Sequence, residues 1–405
     1  MKIRKKSFIT VILSLLVIFF ISIQAYPSSV RGVTDKTIRV GTIGDLTGPI
    51  ATIWLPVADA IRDYFRNIND KGGINGRKVN NTIEDDRYSI PLALSAFKKL
   101  VFRDKVLLLM AASGVGHTQA IIPLAEKNKI PMLAQTNDRR YFNPVRRYIF
   151  TPLPFYEDQL EIIFEYIFKD KKSKKPTIAL AYPDTASGYI SRDTCRKLSK
   201  IYSVKRYIET IISTGAGDFS SQILQLKKLK PDFIIIHGYV GSTSAFLRDA
   251  YKFKFHSSFI AIQYACVEDT VKVAGISAKK LIGTNCFPSW DDESQGLRDI
   301  RRIVLKYHPE GKSKNRNYLQ GWFAGILINN GLKNAGRQLS ADTCVKGLEM
   351  IRNFDTKGLC GIVSFGPNDH KPIDYSRFYK ADVKNGKLVP ITGWRKPPKL
   401  KISSN

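Results

Sequence analysis

From residue 38 onward, short apolar runs alternate with segments whose apolar positions recur at helical spacing. IRVGTI (38–43) reads as a strand, and residues 55–70 follow with Val57, Ile61, Phe65 and Ile68 three or four apart. GGINGRK (72–78) is a glycine turn that stops this helix. A strand near 78–85, a helix at 90–103, the strand VLLLMA (106–111), a helix after Gly116 and IPMLA (130–134) continue the alternation. A second series begins after YIFTPLPFYED (148–158). Its strands are TIALAY (177–182), VKRYIETI (204–211), DFIIIHG (232–238), SFIAIQ (258–263) and KLIGTN (280–285), with helices near 187–202, 218–229, 241–254 and 267–274. Three consecutive helices are predicted at 293–308, 316–335 and 340–352. Strand-like GIVSF, RFYKADV and GKLVPIT then surround turns at Pro367-Asn368-Asp369 and Asn385-Gly386. The expected fold is α/β: two lobes with parallel sheets covered by helices on both faces. Late segments that belong to neither series imply several chain crossings and a cleft where strand carboxyl ends point.

Composition agrees with this picture. The chain has 405 residues, 43% hydrophobic and 11% aromatic, enough for sizeable cores and too apolar for wholesale disorder. Its abnormal feature is charge: 64 Lys and Arg against 35 Asp and Glu, a net +29. That would suggest nucleic acid or an anionic surface, but the N-terminus changes the reading. Lys2, Arg4, Lys5 and Lys6 precede an apolar run from about Phe8 to Ile23, and Ala25 offers a small residue at a cut before Tyr26. Residues 1–25 therefore read as a secretory signal peptide, with an uncleaved anchor as the rival reading. No Cys lies near the cut, the first being Cys195, so lipid attachment has no acceptor thiol. Removing the four basic residues of this stretch leaves 60 against 35, a net +25. Export argues against a nucleic-acid partner. Basic runs such as KDKKSKK (169–175) and RKPPKLK (395–401) are dispersed and read as solvated faces, some of them able to touch anionic membrane lipid.

Catalytic patterns are missing. His117, His237, His256, His308 and His370 are scattered without metal-ligand spacing, and no nucleophile elbow or phosphate-binding loop occurs. The run Glu84-Asp85-Asp86, beside Arg87, reads as a helix cap and surface network rather than a carboxylate pair. Cys195, Cys266, Cys286, Cys344 and Cys360 show no C-x-x-C spacing. A Cys344–Cys360 bridge and buried free thiols both remain open. Neither an enzyme nor a cofactor is expected.

Several segments resemble one known family. VTDKTIRVGTIGDLTGP, NDKGGINGRKV and EDDRY, then GHTQAIIPLAEKNKIPML (116–133), GDFSSQILQLKKLKPDFIII (217–236) and GLCGIVSFGPNDHKP (358–372), resemble type I periplasmic solute-binding proteins. Within them they are most similar to the leucine/isoleucine/valine-binding branch that serves ABC transporters. The resemblance covers about residues 34 to 393. It implies two Rossmann-like lobes joined by three hinge crossings, near 150, 286 and 363. Lobe 1 would comprise 34–150 plus 287–363 and lobe 2 would comprise 151–286 plus 364–395, with a basic tail at 396–405.

The resemblance also places ligand loops. In the first lobe these carry Trp54 as an aromatic wall, Ser113, Thr118 and Thr136 as hydroxyls for a carboxylate, and His117 as a lining residue or helix cap. Gly114 and Gly116 allow close backbone approach at a helix start suited to an anion. In the second lobe they carry Ser187, where the family often has an aromatic, then Tyr239, Gln263 and Tyr264. An acidic residue commonly meets the ligand's α-ammonium where this chain has Gln263. Glu268 and Asp269 lie further on, at helical and exposed positions. The implied function is extracytoplasmic capture of a small polar ligand (amino acid, amide or carboxylate) by hinge closure. A monomer would deliver it to an ABC permease in the membrane with its ATPase. The alternative is a receptor module that signals through a membrane partner.

Overall fold

The computed structural model describes residues 30–399. The stretch read as a signal peptide and the last residues of the basic tail, 400–405, lie outside the described residues. Two sheets organise the chain. The first is wholly parallel, in the order β2-β1-β3-β4-β5. It is built from β1 (Thr37–Gly44), β2 (Lys78–Asp85), β3 (Leu108–Ala111), β4 (Met132–Ala134) and β5 (Ile149–Phe150). The second has the order β12-β11-β10-β9-β8-β6-β7. Its strands are β6 (Thr177–Tyr182), β7 (Arg206–Ile211), β8 (Phe233–Ile236), β9 (Ser258–Ala261), β10 (Leu281–Asn285), β11 (Arg377–Asp382) and β12 (Lys387–Pro390). In it β11 runs antiparallel to both of its neighbours, β10 and β12, and the other pairs are parallel.

The helices that connect the strands cover both sheets. Those of the first sheet are α1 (Ala51–Asp70), α2 (Ile90–Lys98) and α3 (Val115–Lys127). Those of the second are α4 (Tyr156–Glu165), α5 (Ala186–Ile201), α6 (Ser220–Leu229), α7 (Val240–Lys252) and α8 (Glu268–Ala274). After β10 the chain makes α9 (Gln295–Tyr307), α10 (Arg316–Asn334) and α11 (Ala341–Glu349) before reaching β11. Here α10 packs along α1 and α11 packs on α10, so these late helices join the first sheet's layer. Strand alternation sorts the core. Phe233 and Ile235 of β8 belong to a large apolar cluster continuous with the first sheet, while Ile234 and Ile236 face a second cluster under α6 and α7.

The expected elements differ from the structure in three places. Helix α1 starts at Ala51 rather than 55 and carries Pro56 in its interior, although proline there cannot donate to the carbonyl of Thr52. The buried carboxylate of Asp45 accepts the N–H groups of Gly48 and Ile50 ahead of this helix, which allows the earlier start. GIVSF is not a strand; Val363 makes a single antiparallel bridge with Phe354, and Pro367 then interrupts the backbone donors. Helix α4, with a π turn at Tyr166–Asp170, lies where only a boundary was expected. All five cysteines are buried free thiols.

Helix α4 also sets a pH dependence. Burial pushes the carboxyls of Glu157 and Glu161 up to about 7, against the opposing pull of Arg139. Between the ordinary value of 4.5 and about 7 the fold holds protons that the unfolded chain has released, so stability falls as pH rises through this window. The double change Glu157→Gln and Glu161→Gln should therefore flatten the melting-temperature profile between about pH 5 and pH 8. An unaltered slope would dismiss these two groups as its source.

Candidate functional site

The cleft lies where the carboxyl ends of the two sheets face each other. The free space left between them is small, about 20 Å³, room for about one water molecule. From the first sheet's side come Trp54 on α1, Ser113 and Gly114 after β3, and Gln135, Thr136 and Asn137 after β4, with Gln320 from α10. From the second come Tyr156 at the start of α4, Ser187 after β6, Tyr239 after β8 and Tyr264 after β9. These loops are the crossover ends of parallel strands, which is why residues distant in sequence converge.

Side chains bridge the two sides directly. The hydroxyls of Tyr88 and Tyr239 stand 3.5 Å apart, and Asn137 Nδ2 donates to Gln263 Oε1 at 3.1 Å. Tyr264 donates to Asn137 Oδ1 at 3.4 Å. On the first side, Gln320 Nε2 donates to Gln135 Oε1 at 2.8 Å, leaving the Gln135 amide N–H groups without a partner. The Thr136 hydroxyl is likewise buried and unpaired. Buried donors without acceptors are costly, so these point to an acceptor-bearing occupant. No Asp or Glu lines this cavity among the described residues.

The residues expected from the sequence divide into two groups. Trp54, Ser113, Thr136, Ser187, Tyr239 and Tyr264 all line the cavity. The indole of Trp54 donates to the Ser113 carbonyl at 3.3 Å. His117, Thr118 and Gln263 sit behind the wall. His117 packs on Tyr88 with ring centroids 4.7 Å apart and planes tilted by 34°, and neither lines the cavity nor caps the helix, whose N-cap is Gly114. Thr118 is one turn inside α3, fully buried, and its hydroxyl does not line the cavity. The Gln263 amide oxygen is taken up by Asn137 and Gln159.

The acidic run is also placed differently from expectation. Glu84 pairs with Lys99 and Asp85 holds the loop at Leu46 and Thr47, but Asp86 is fully buried. Its carboxylate accepts the Ser113 hydroxyl and the Tyr88 N–H, and burial raises its pKa. The Ser113 hydroxyl proton is therefore not free for a ligand. Glu268 is engaged by Arg316 at 3.0 Å and Asp269 by Asn315 at 2.7 Å, both away from the cavity. Sequence reasoning missed Asp86, Tyr88, Tyr156 and Gln320, and from the loop at 134–137 it singled out Thr136 but not its neighbours Gln135 and Asn137. The EDDRY segment held a signal for the first two, since it ends β2 on the cleft side.

Trp54 owes its place to Gly44. A Cβ at residue 44 would fall 2.2 Å from the indole Cε3. Gly44→Ala should push the indole into the cavity, lower stability by about 1–3 kcal/mol and change the tryptophan emission. Unchanged emission and melting temperature would remove Gly44 as the seat of this wall.

The comparisons agree with this architecture. A family model described as periplasmic binding protein matches residues 37–387. A Leu/Ile/Val-binding protein of Citrobacter freundii is 26% identical over 343 residues, 82% of this chain and 91% of its own. The Leu/Ile/Val-binding protein of Escherichia coli K12 is 25% identical over 333 residues, covering 80% and 89%. Among solved structures, a branched chain amino acid ABC transporter from Thermus thermophilus with bound valine superposes with a TM-score of 0.82. It does so at 20% identity, over 90% of this chain and 97% of its own. A fatty acid ABC transporter substrate-binding protein from Thermomonospora curvata reaches 0.79 at 18% identity, covering 92% and 96%. These relatives are solute-binding proteins and not enzymes, and this chain belongs to the periplasmic binding protein family.

Proposed function

We propose that this protein is the exported solute-binding component of an ABC importer, holding a small organic ligand between residues 34–150 plus 287–363 and residues 151–286 plus 364–395. Export rests on the N-terminal pattern of residues 1–25, and the importer on the naming of its relatives. The observation that carries the reading is the cavity itself. It is lined from both sides, by Trp54, Gln135 and Thr136 against Tyr156, Tyr239 and Tyr264, and is crossed by the Tyr88–Tyr239 and Asn137–Gln263 contacts. A ligand that touches both walls binds the closed form better and shifts the population toward it.

The expected ligand has a carboxylate or amide to meet the unpaired amide and hydroxyl donors, and an apolar or aromatic body against Trp54 and the tyrosines. The relatives named for Leu, Ile and Val and the one named for fatty acids bracket this class: both kinds of ligand carry a carboxylate, and only the first carries an ammonium. A thermal-shift screen of amino acids, their amides and deaminated acids tests the reading. A true ligand at 100 times its dissociation constant should add about 2.7 kcal/mol and shrink the radius of gyration in small-angle scattering. Stabilisation at proven saturation with an unchanged scattering profile would argue against closure, and a hit that survives Tyr239→Ala and Gln135→Ala together would place the ligand elsewhere.

A further inference from the structure

The parallel strands that bring the ligand loops together at one end of the second sheet gather its αβ turns at the other. Those turns are rich in lysine. Lys174 precedes β6, Lys227 and Lys230 close α6 before β8, and Lys254 stands between α7 and β9. Lys279 and Lys280 precede β10, and the β11–β12 hairpin adds Lys380 and Lys384. All line one broad concavity and all are exposed.

Cations gather on this surface without counter-ions: none of these lysines lies within 4.0 Å of a carboxylate among the described residues. The two acids in the concavity have other duties: Asp232 accepts the Thr177 N–H at 2.7 Å, and Asp382 accepts from Asn385. Beside the lysines runs an apolar groove that shares Lys254, Lys279 and Lys280 and exposes Tyr251 and Ile276, which are 59% and 52% accessible.

We propose that this basic end of the second sheet docks on anionic phospholipid headgroups of a membrane surface. The lysines spread over a wide concavity and converge on no single point, so they suit an array of phosphates rather than one bound anion. Tyr251 and Ile276 sit beside the charges, as interfacial anchors do. The strands of this sheet, four to six residues long, separate the surface from the cleft by roughly 13–20 Å. Membrane docking therefore leaves the cleft open to solute, and the two activities can fail separately.

The test is co-sedimentation of the exported protein, with the same N-terminus in every variant, on vesicles of phosphatidylcholine with and without phosphatidylglycerol. Wild type should bind the phosphatidylglycerol vesicles and release them as salt is raised. Lys254→Glu, Lys279→Glu and Lys280→Glu together should weaken that binding about tenfold or more, with the melting temperature held as the folding control. Tyr251→Ser with Ile276→Ser should weaken it by a smaller factor. Equal binding to both kinds of vesicle, salt-insensitive binding by wild type, or undiminished binding by a folded triple variant would each overturn the proposal. So would wild-type binding to soluble polyphosphate with none to phosphatidylglycerol vesicles, which would make this a site for soluble polyanions.

Discussion

Arg316→Met should destabilise this protein by about 3–5 kcal/mol, because it leaves a largely buried carboxylate without its counter-ion. The Arg316 guanidinium is itself buried. It pairs with Glu268 of α8 at 3.0 Å, donates to the Phe287 carbonyl and the Ser289 hydroxyl, and lies 3.9 Å from the Tyr379 ring centroid. Burial alone would lower its pKa; Glu268 outweighs that and holds it above the ordinary value. One side chain at the head of α10 thus fastens the first sheet's layer to α8 and β11 of the second. Gln320 lies one turn further along α10 and lines the cavity, so a loosened helix start should also weaken ligand binding. The melting temperature of the single variant should fall by on the order of 5–10 °C. Arg316→Met with Glu268→Met should recover most of the loss, since an apolar pair leaves no buried charge. A single variant melting within about 1 °C of wild type would show that this ion pair holds nothing together.

The fold was more legible than the site, for physical reasons. Strands buried on both faces read as short continuous apolar runs, and TIALAY at 177–182 marks β6 at both ends. Helix α4 escaped because Tyr156 to Asp170 follows the proline-rich turn without a break, and its second half winds as a π turn that shifts the apolar period. The family resemblance implies ligand loops at strand ends, and Trp54, Ser113, Thr136, Ser187, Tyr239 and Tyr264, taken from it, line the cavity. Gln320 was missed, because it reaches the cavity from the middle of a helix whose long buried face hides which residue turns toward the cleft. Asp86 was misread because exposure at a strand end depends on the loop packed over it, here Ser113 and Tyr88. Gln263 is the converse. Its position after β9 is as expected, but Asn137 and Gln159 reach its amide first.

Ligands with a carboxylate or amide but no free α-ammonium should bind on the order of a hundredfold tighter than leucine, isoleucine or valine. The estimate follows from the several kcal/mol needed to desolvate an ammonium that finds no carboxylate. The buried acids beside the cleft have other partners: Asp86 is taken by Ser113 and the Tyr88 N–H, with burial favouring its neutral form, Asp45 by the Gly48 and Ile50 N–H groups and Asp138 by Arg140. Further off, Glu268 is held by Arg316 and Asp269 by Asn315. His237, packed on Tyr156 with centroids 4.6 Å apart, is held neutral by burial, its pKa lowered to about 3, so the Tyr156 side of the pocket gains no cation from it. Selection therefore falls to amides, hydroxyls and aromatic rings. Calorimetry with leucine against 4-methyl-2-oxopentanoate, and phenylalanine against 3-phenylpropanoate, isolates the ammonium because each pair keeps its carboxylate and hydrocarbon body. Tyr239→Ala should weaken every ligand by roughly thirtyfold or more through lost contact area, whereas Tyr239→Phe removes only the hydroxyl that meets Tyr88. Gln135→Glu is the decisive change. It sets a carboxylate in the cavity wall in place of an amide whose N–H groups lack a partner, while an oxygen still accepts from Gln320. That variant should gain amino-acid binding and lose the deaminated acids through like-charge repulsion. If wild type binds leucine at micromolar affinity or better and Gln135→Glu changes neither member of a pair, the ammonium has a partner that this cavity does not contain, and the ligand class assigned here is wrong.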